Sequence, residues 1–159
     1  MCSSDLLLEK AMEAGARRIE LCDNLAVGGT TPSYGVTKAA VELAANYDTT
    51  IMTMIRPRGG DFVYTDLEIA IMLEDIRLTA QAGSQGVVFG ALTADKKLDK
   101  TNLEKLIAAS KGMEIVFHMA FDELSDEDQL EAIDWLSQAG VTRILTRAGV
   151  SGDSLEKRF

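Results

Sequence analysis

Apolar residues recur along this chain with two alternating periods, one helical and one strand-like. Leu6, Leu7, Ala11, Met12 and Ala14 follow helical spacing up to Gly15, after which Arg18 to Cys22 alternates as a short strand. A second helix is predicted from about Pro32 to Ala45, with Thr31 as its cap and Pro32 at its first position. Thr50 to Arg56 reads as a strand in which Met52, Met54 and Arg56 share one face. Thr65 and Glu68 stand at capping-box spacing, and Ile69, Met72, Leu73, Ile76 and Ala80 carry an apolar stripe to Gly83. Gly86 to Leu92 is a nearly continuous apolar run, the pattern of a strand covered on both faces. Thr101 with Glu104 predicts the start of the next helix, and Glu114 to Ala120 a further strand. Ser125 caps a helix containing Leu130, Ile133, Trp135 and Leu136, and Arg143 to Thr146 returns to strand.

Ala14-Gly15, Ala82-Gly83 and Ala139-Gly140 each end a helix and precede an apolar strand by a few residues. Glycine at such a position supplies the left-handed helix terminus, and the regular alternation demands parallel strands joined by right-handed crossovers. Two α/β architectures accommodate this order: an open doubly wound sheet, or part of a (β/α)8 barrel. A complete barrel needs about 250 residues. The pattern alone does not choose between them; the barrel reading would make residues 1–159 a single partial barrel domain, lacking a first strand and the last two βα units.

Composition narrows the partners. Sixteen basic against 25 acidic residues give a net charge of −9, which repels phosphate backbones and anionic membranes. No nucleic-acid or membrane partner is expected, and no apolar run reaches the roughly 20 residues that cross a bilayer. Met1 to Ser4 lacks the regions of a secretory signal, so a cytoplasmic location is expected. Two cysteines, Cys2 and Cys22, are too few for a disulfide framework and would stay thiols in a reducing cytosol.

Five blocks carry a resemblance: RIELCDNLAVGGTTPSYG at Arg18 to Gly35, MIRPRGGDFVY at Met54 to Tyr64, GVVFGALTAD at Gly86 to Asp95, VFHMAFD at Val116 to Asp122, and TRILT at Thr142 to Thr146. In this order and with these gaps the chain resembles the CutC copper-homeostasis family from Ala11 to Thr146. The resemblance implies a TIM-type barrel and a cytoplasmic copper-binding role, with no assigned reaction. It also marks two departures: Met119 stands where an arginine is typical, and Arg147-Ala148 where small polar residues are usual.

Barrel sites lie at the carboxyl ends of the strands, which selects Cys22, Arg56, Arg58, His118 and Asp122, with Glu20 one inward layer deeper. Cu(I) is soft and favours thiolate, thioether and imidazole, so Cys22, Met52, Met54 and His118 are candidate copper ligands. Against this stand ordinary structural roles: cysteine and methionine as core filler, and a lone histidine as a hydrogen-bonded core residue. Arg56 and Arg58 are candidate anion-binding groups, or else structural partners of Glu20, Asp61 or Asp122. Glu20, His118 and Asp122 are the candidates for moving a proton.

Three functions follow as expectations: cytosolic Cu(I) binding in copper homeostasis, a barrel enzyme acting on a small anionic metabolite, or a truncated barrel without activity of its own. A barrel arc exposes two sheet edges, which favours pairing with a second copy. Self-association into a homo-oligomer is therefore expected, and a monodisperse monomer in analytical ultracentrifugation would show otherwise.

Overall fold

A computed structural model describes residues 5–147, with side chains from residue 8 onward. Helix α1 (Asp5–Glu13) leads into β1 (Arg18–Leu21), and the order continues α2 (Tyr34–Ala44), β2 (Thr50–Met54), α3 (Asp66–Ala82), β3 (Gly86–Phe89), α4 (Lys100–Ala109), β4 (Glu114–Phe117), α5 (Asp126–Gln138) and β5 (Arg143–Ile144). All four strand pairings are parallel, and spatial order equals chain order from β1 to β5. Sequential parallel strands with helices on one side give the curled half-barrel expected of a partial (β/α)8 fold.

Local chemistry places the elements. Gly15, Gly83 and Gly140 have φ of 87°, 88° and 93°, the left-handed turn that the three repeated Ala-Gly pairs predict. Thr65 and Glu68 form a full capping box at the start of α3. Two caps differ from expectation. Ser33, not Thr31, caps α2, because Thr31 is drawn into the sheet: its hydroxyl accepts from the Arg56 N–H at 2.9 Å and its own N–H donates to the Arg56 carbonyl at 2.9 Å. Asp99 opens α4 in place of Thr101, accepting from the Asn102 N–H at 3.1 Å. Strands β2 to β5 are also shorter than the apolar runs suggest, as the chain turns into loops once the ladder ends.

Strand alternation sorts the core into two faces. Ile19, Leu21 and Ile51 pack outward against Leu8 and Met12 of α1 and Ala40 and Ala44 of α2. Val87, Phe89, Ile115 and Phe117 pack outward with Ile69, Met72 and Ile76 of α3 and Leu103 and Leu106 of α4. On the inner face, Met52, Met54, Val88 and Val116 form a separate buried cluster, with Cys22 against it. Register stacks this face in layers: Glu20, Met52, Gly86 and Glu114 lie side by side, as do Met54, Val88, Val116 and Arg143.

At the amino-terminal ends of the strands, Arg18 of β1 bonds Glu114 of β4 at 2.8 Å, a chord across the arc. In the same layer as Glu114, Gly86 makes room for a neighbour. A Cβ there would overlap the terminal methyl of Met52 and lie 2.6 Å from the Glu114 carbonyl oxygen. Gly86→Ala should therefore destabilise the fold by about 1–3 kcal/mol through overpacking. A lower urea midpoint with an unchanged m-value is the expected result.

Candidate functional site

The carboxyl end of β2 carries Arg56, which is 3% exposed. Its Nη1 donates to the carbonyls of Val27 at 2.8 Å and Gly29 at 3.0 Å, and its Nη2 to the carbonyl of Gly60 at 2.8 Å. The guanidinium carbon stands 4.9 Å from the centre of the Phe62 ring, within cation–π range. One buried cation thus ties the β1–α2 loop to the β2–α3 loop. Gly28 and Gly29 have φ of 87° and 95°, and this left-handed path turns both carbonyl neighbours toward the guanidinium. The Arg56 Nε and the Tyr64 hydroxyl are buried without a hydrogen-bond partner. Burial pushes the Tyr64 hydroxyl up to about 12, with Arg56 opposing the shift, so Tyr64 stays protonated.

Arg58 has a different fate. It pairs with Glu68 and Asp61, donates to the Val63 carbonyl at 2.8 Å, and lies over the Tyr64 ring. Its bond to Glu68 joins the strand-end loop to the capping box of α3. It does not line the cavity that Arg56 lines.

That cavity, about 360 Å³, sits at the strand ends and is bounded by Arg56, Phe62, Met119, Asp122, Glu123 and Arg147 among others. Asp122 is buried in a short 3-10 turn, Met119–Glu123, that follows β4. Its carboxylate accepts from the Thr146 hydroxyl and from the Arg147 N–H at 3.0 Å, which joins the end of β4 to the end of β5.

His118 lies behind this wall, fully buried, with its ring 4.9 Å from Phe62 and 6.1 Å from Phe117. The ring covers Gly90, where a Cβ would come within 2.8 Å of both Nδ1 and Cε1. Nδ1 accepts from the Ala120 N–H at 3.2 Å, so the neutral ring carries its proton on Nε2, which has no partner. In this arrangement neither ring nitrogen presents a spare lone pair. Desolvation, aided by the nearby Arg56 charge, holds the imidazole down to about 3.

The sulfur donors gather one layer below the cavity. A side chain at Gly29 would begin 3.1 Å from the Cys22 Sγ and 3.5 Å from the Met54 Cε, so both side chains converge on that glycine. Met52 lies in the same inner cluster, while Glu20 is half-buried beside it in register. Cys22 is disulfide-bonded, where the sequence led us to expect a thiol. Sequence separation does not reveal which sulfurs a fold brings together. Cys2 lies outside the described residues. Among the described residues no three His, Cys, Asp or Glu side chains form a metal cluster.

The fold therefore brings Arg56 and Asp122 to one cavity and Cys22, Met52 and Met54 to one inner cluster, and it sets Arg58 and His118 apart. Phe62, Met119 and Arg147 line the cavity without having been singled out as site residues. Phe62 is an aromatic residue directly after Gly59-Gly60-Asp61, a signal that the loop folds back over the strand end; Met119 and Arg147 stood out only as departures from a family pattern.

Comparison with known proteins settles the family. A sequence model of the CutC family matches residues 1–158. The chain belongs to the CutC family. The family protein CutC of Enterococcus faecalis is 51% identical over 152 residues, 96% of this chain and 73% of that protein. The CutC of Streptococcus pyogenes serotype M6 is 50% identical over 146 residues, 91% of this chain and 70% of that protein. A CutC crystal structure from Streptococcus agalactiae, named provisionally as a copper homeostasis protein, superposes with a TM-score of 0.93 at 43% identity, over 99% of this chain and 76% of that one. An archaeal fructose-1,6-bisphosphate aldolase matches at a TM-score of 0.63 and 15% identity, over 87% of this chain and 53% of that one, a likeness of fold alone. Among the described residues no helix is long and apolar enough to cross a membrane.

His118 makes the stability of this CutC chain depend on pH. Its folded value near 3 lies below the unfolded value of 6.5, so the unfolded chain takes up the proton first as pH falls. The contribution is fully present above pH 6.5 and is lost down to about pH 3, at about 1.4 kcal/mol per unit. Urea unfolding at pH 7 and pH 5 should show this slope in the wild type, and His118→Gln should show a shallower one.

Proposed function

We propose that this chain serves copper homeostasis in the cytosol by holding Cu(I) on soft donors of the inner sheet face. The observation that carries the reading is the convergence of Cys22 and Met54 on Gly29, with Met52 in the same buried cluster. Thiolate and thioether suit Cu(I), and an apolar surround excludes competing water. Cys22 is disulfide-bonded, so a dithiol reductant, itself oxidised to its disulfide, opens that bond before the thiolate can take Cu(I). His118 backs Phe62 in the wall of the neighbouring pocket and does not serve as a ligand, since its ring acceptor is already engaged by Ala120. The name of the Streptococcus agalactiae relative supports the same assignment.

Anaerobic titration with Cu(I) after reduction tests this. Wild-type protein should bind one equivalent, Cys22→Ser should lose it, and Met54→Leu, a volume-conserving change in the core, should weaken it about tenfold. Stoichiometric binding that survives Cys22→Ser would exclude the site.

A second reading is favoured by the cavity: a small anionic ligand held at the strand ends, where barrel proteins bind. Arg56 is a buried cation whose guanidinium donates to neutral carbonyls, and a buried charge is strongly stabilised by an opposite one. Crystals grown in acetate or phosphate should show an ordered anion facing Arg56. A guanidinium left with its carbonyl partners alone under those conditions counts against this reading.

A further inference from the structure

A second cavity of about 590 Å³ adjoins the one around Arg56, and the two share Gly60, Phe62 and Glu123 as lining. They are neighbouring compartments of one strand-end crevice with opposed chemistry. The first presents charges of both signs, Arg56 and Arg147 against Asp122 and Glu123. The second presents Phe62, Val63, Leu92 and Ala94, and each charge that lines it already has a partner: Lys96 pairs with Glu123 at 3.4 Å, and Asp61 pairs with Arg58 at 3.0 Å.

This lining constrains what fits. A simple anion would satisfy Arg56 but face the Asp122 carboxylate in the same cavity, and a simple cation would face the reverse conflict. Each conflict offsets part of what the pairing gains, since attraction and repulsion act across the same medium. A molecule bearing a carboxylate beside an ammonium or hydroxyl group satisfies both residues. Asp122 keeps acceptor capacity for that donor: of its two oxygens, Oδ2 accepts from the Arg147 N–H alone among the bonds seen. An apolar side chain on the same molecule would then lie along Phe62 into the second compartment. Building on the reading of the crevice as a small-anion site, we propose that it binds an α-amino or α-hydroxy acid with an apolar side chain. The carboxylate pairs with Arg56, the amino or hydroxyl group donates to Asp122, and the side chain occupies the Val63, Leu92 and Ala94 compartment.

Four probes separate the parts: L-phenylalanine carries all three features, glycine lacks the side chain, 3-phenylpropanoate lacks the donor, and 2-phenylethylamine lacks the anion. Calorimetric titration of the full chain should find L-phenylalanine at least tenfold tighter than each of the others: glycine forfeits the burial of a benzyl group, worth more than a factor of ten, and the other two each forfeit a charge-assisted hydrogen bond, worth about as much. Val63→Asp and, independently, Ala94→Glu should bring L-phenylalanine down toward glycine. Val63 is 37% exposed and Ala94 is exposed, so both variants should melt like the wild type by circular dichroism, and either one suffices if the other fails to fold. Equal affinity for glycine and L-phenylalanine would remove the apolar compartment while leaving the small-anion reading intact. A 3-phenylpropanoate that binds as tightly as L-phenylalanine would remove the pairing with Asp122. If acetate, phosphate and all four probes fail to bind, the small-anion reading falls together with the proposal.

Discussion

The strand-end architecture hangs on a single buried cation. Arg56 closes three backbone hydrogen bonds to two different loops, while its own backbone exchanges bonds with Thr31 at the far end of the first loop. Hydrogen bonds from a charged donor contribute about 1.5–3 kcal/mol each, and losing the donor would leave buried carbonyls unsatisfied as well. Phe62, which lies against Arg56 on one contact and His118 on another, is positioned by the same clamp. Cavity wall, loop path and histidine environment therefore depend on one residue. Because its partners are carbonyls, the clamp reads the path of the chain and not the identity of the side chains along it.

The chemistry at the strand ends is layered. Near the amino-terminal ends lies the Arg18–Glu114 chord, level with Met52; soft, apolar side chains continue from there through Met54 and Cys22, and beyond them is a polar crevice with Arg56 and Asp122. Soft sulfur side chains and charged groups thus occupy neighbouring levels without sharing a residue. Gly28 and Gly29 form the seam. One faces Arg56 and Met119, the other Cys22 and Met54.

Much of the fold was legible because the periodic signals are local. The helix stops at Gly15, Gly83 and Gly140, the capping box at Thr65 and the shared face of Met52, Met54 and Arg56 all follow from spacing and backbone preference. Caps were less secure where a residue had two suitors. Thr31 is a good N-cap by type, yet a bond to Arg56 twenty-five residues away outcompetes that role, and Ser33 takes it. Site geometry was the least legible part. Arg56 and Arg58 look alike in sequence, but a two-residue step turns one toward the crevice and the other toward Glu68 at the start of α3. The resemblance to CutC supplied the curvature of the sheet, which strand patterns alone left open between an open sheet and a barrel arc.

Gly90 lies outside the crevice lining, on a strand end beneath the His118 ring, and the ring in turn supports Phe62, which both compartments share. The position of the dividing wall is thus set by a hydrogen atom where any other residue would carry a carbon. A single added methyl at that depth would lift histidine and phenylalanine together and redraw the boundary between the two compartments. Ligand preference in such a crevice can drift through evolution by changes in the sheet itself, with every residue that touches the ligand left as it was.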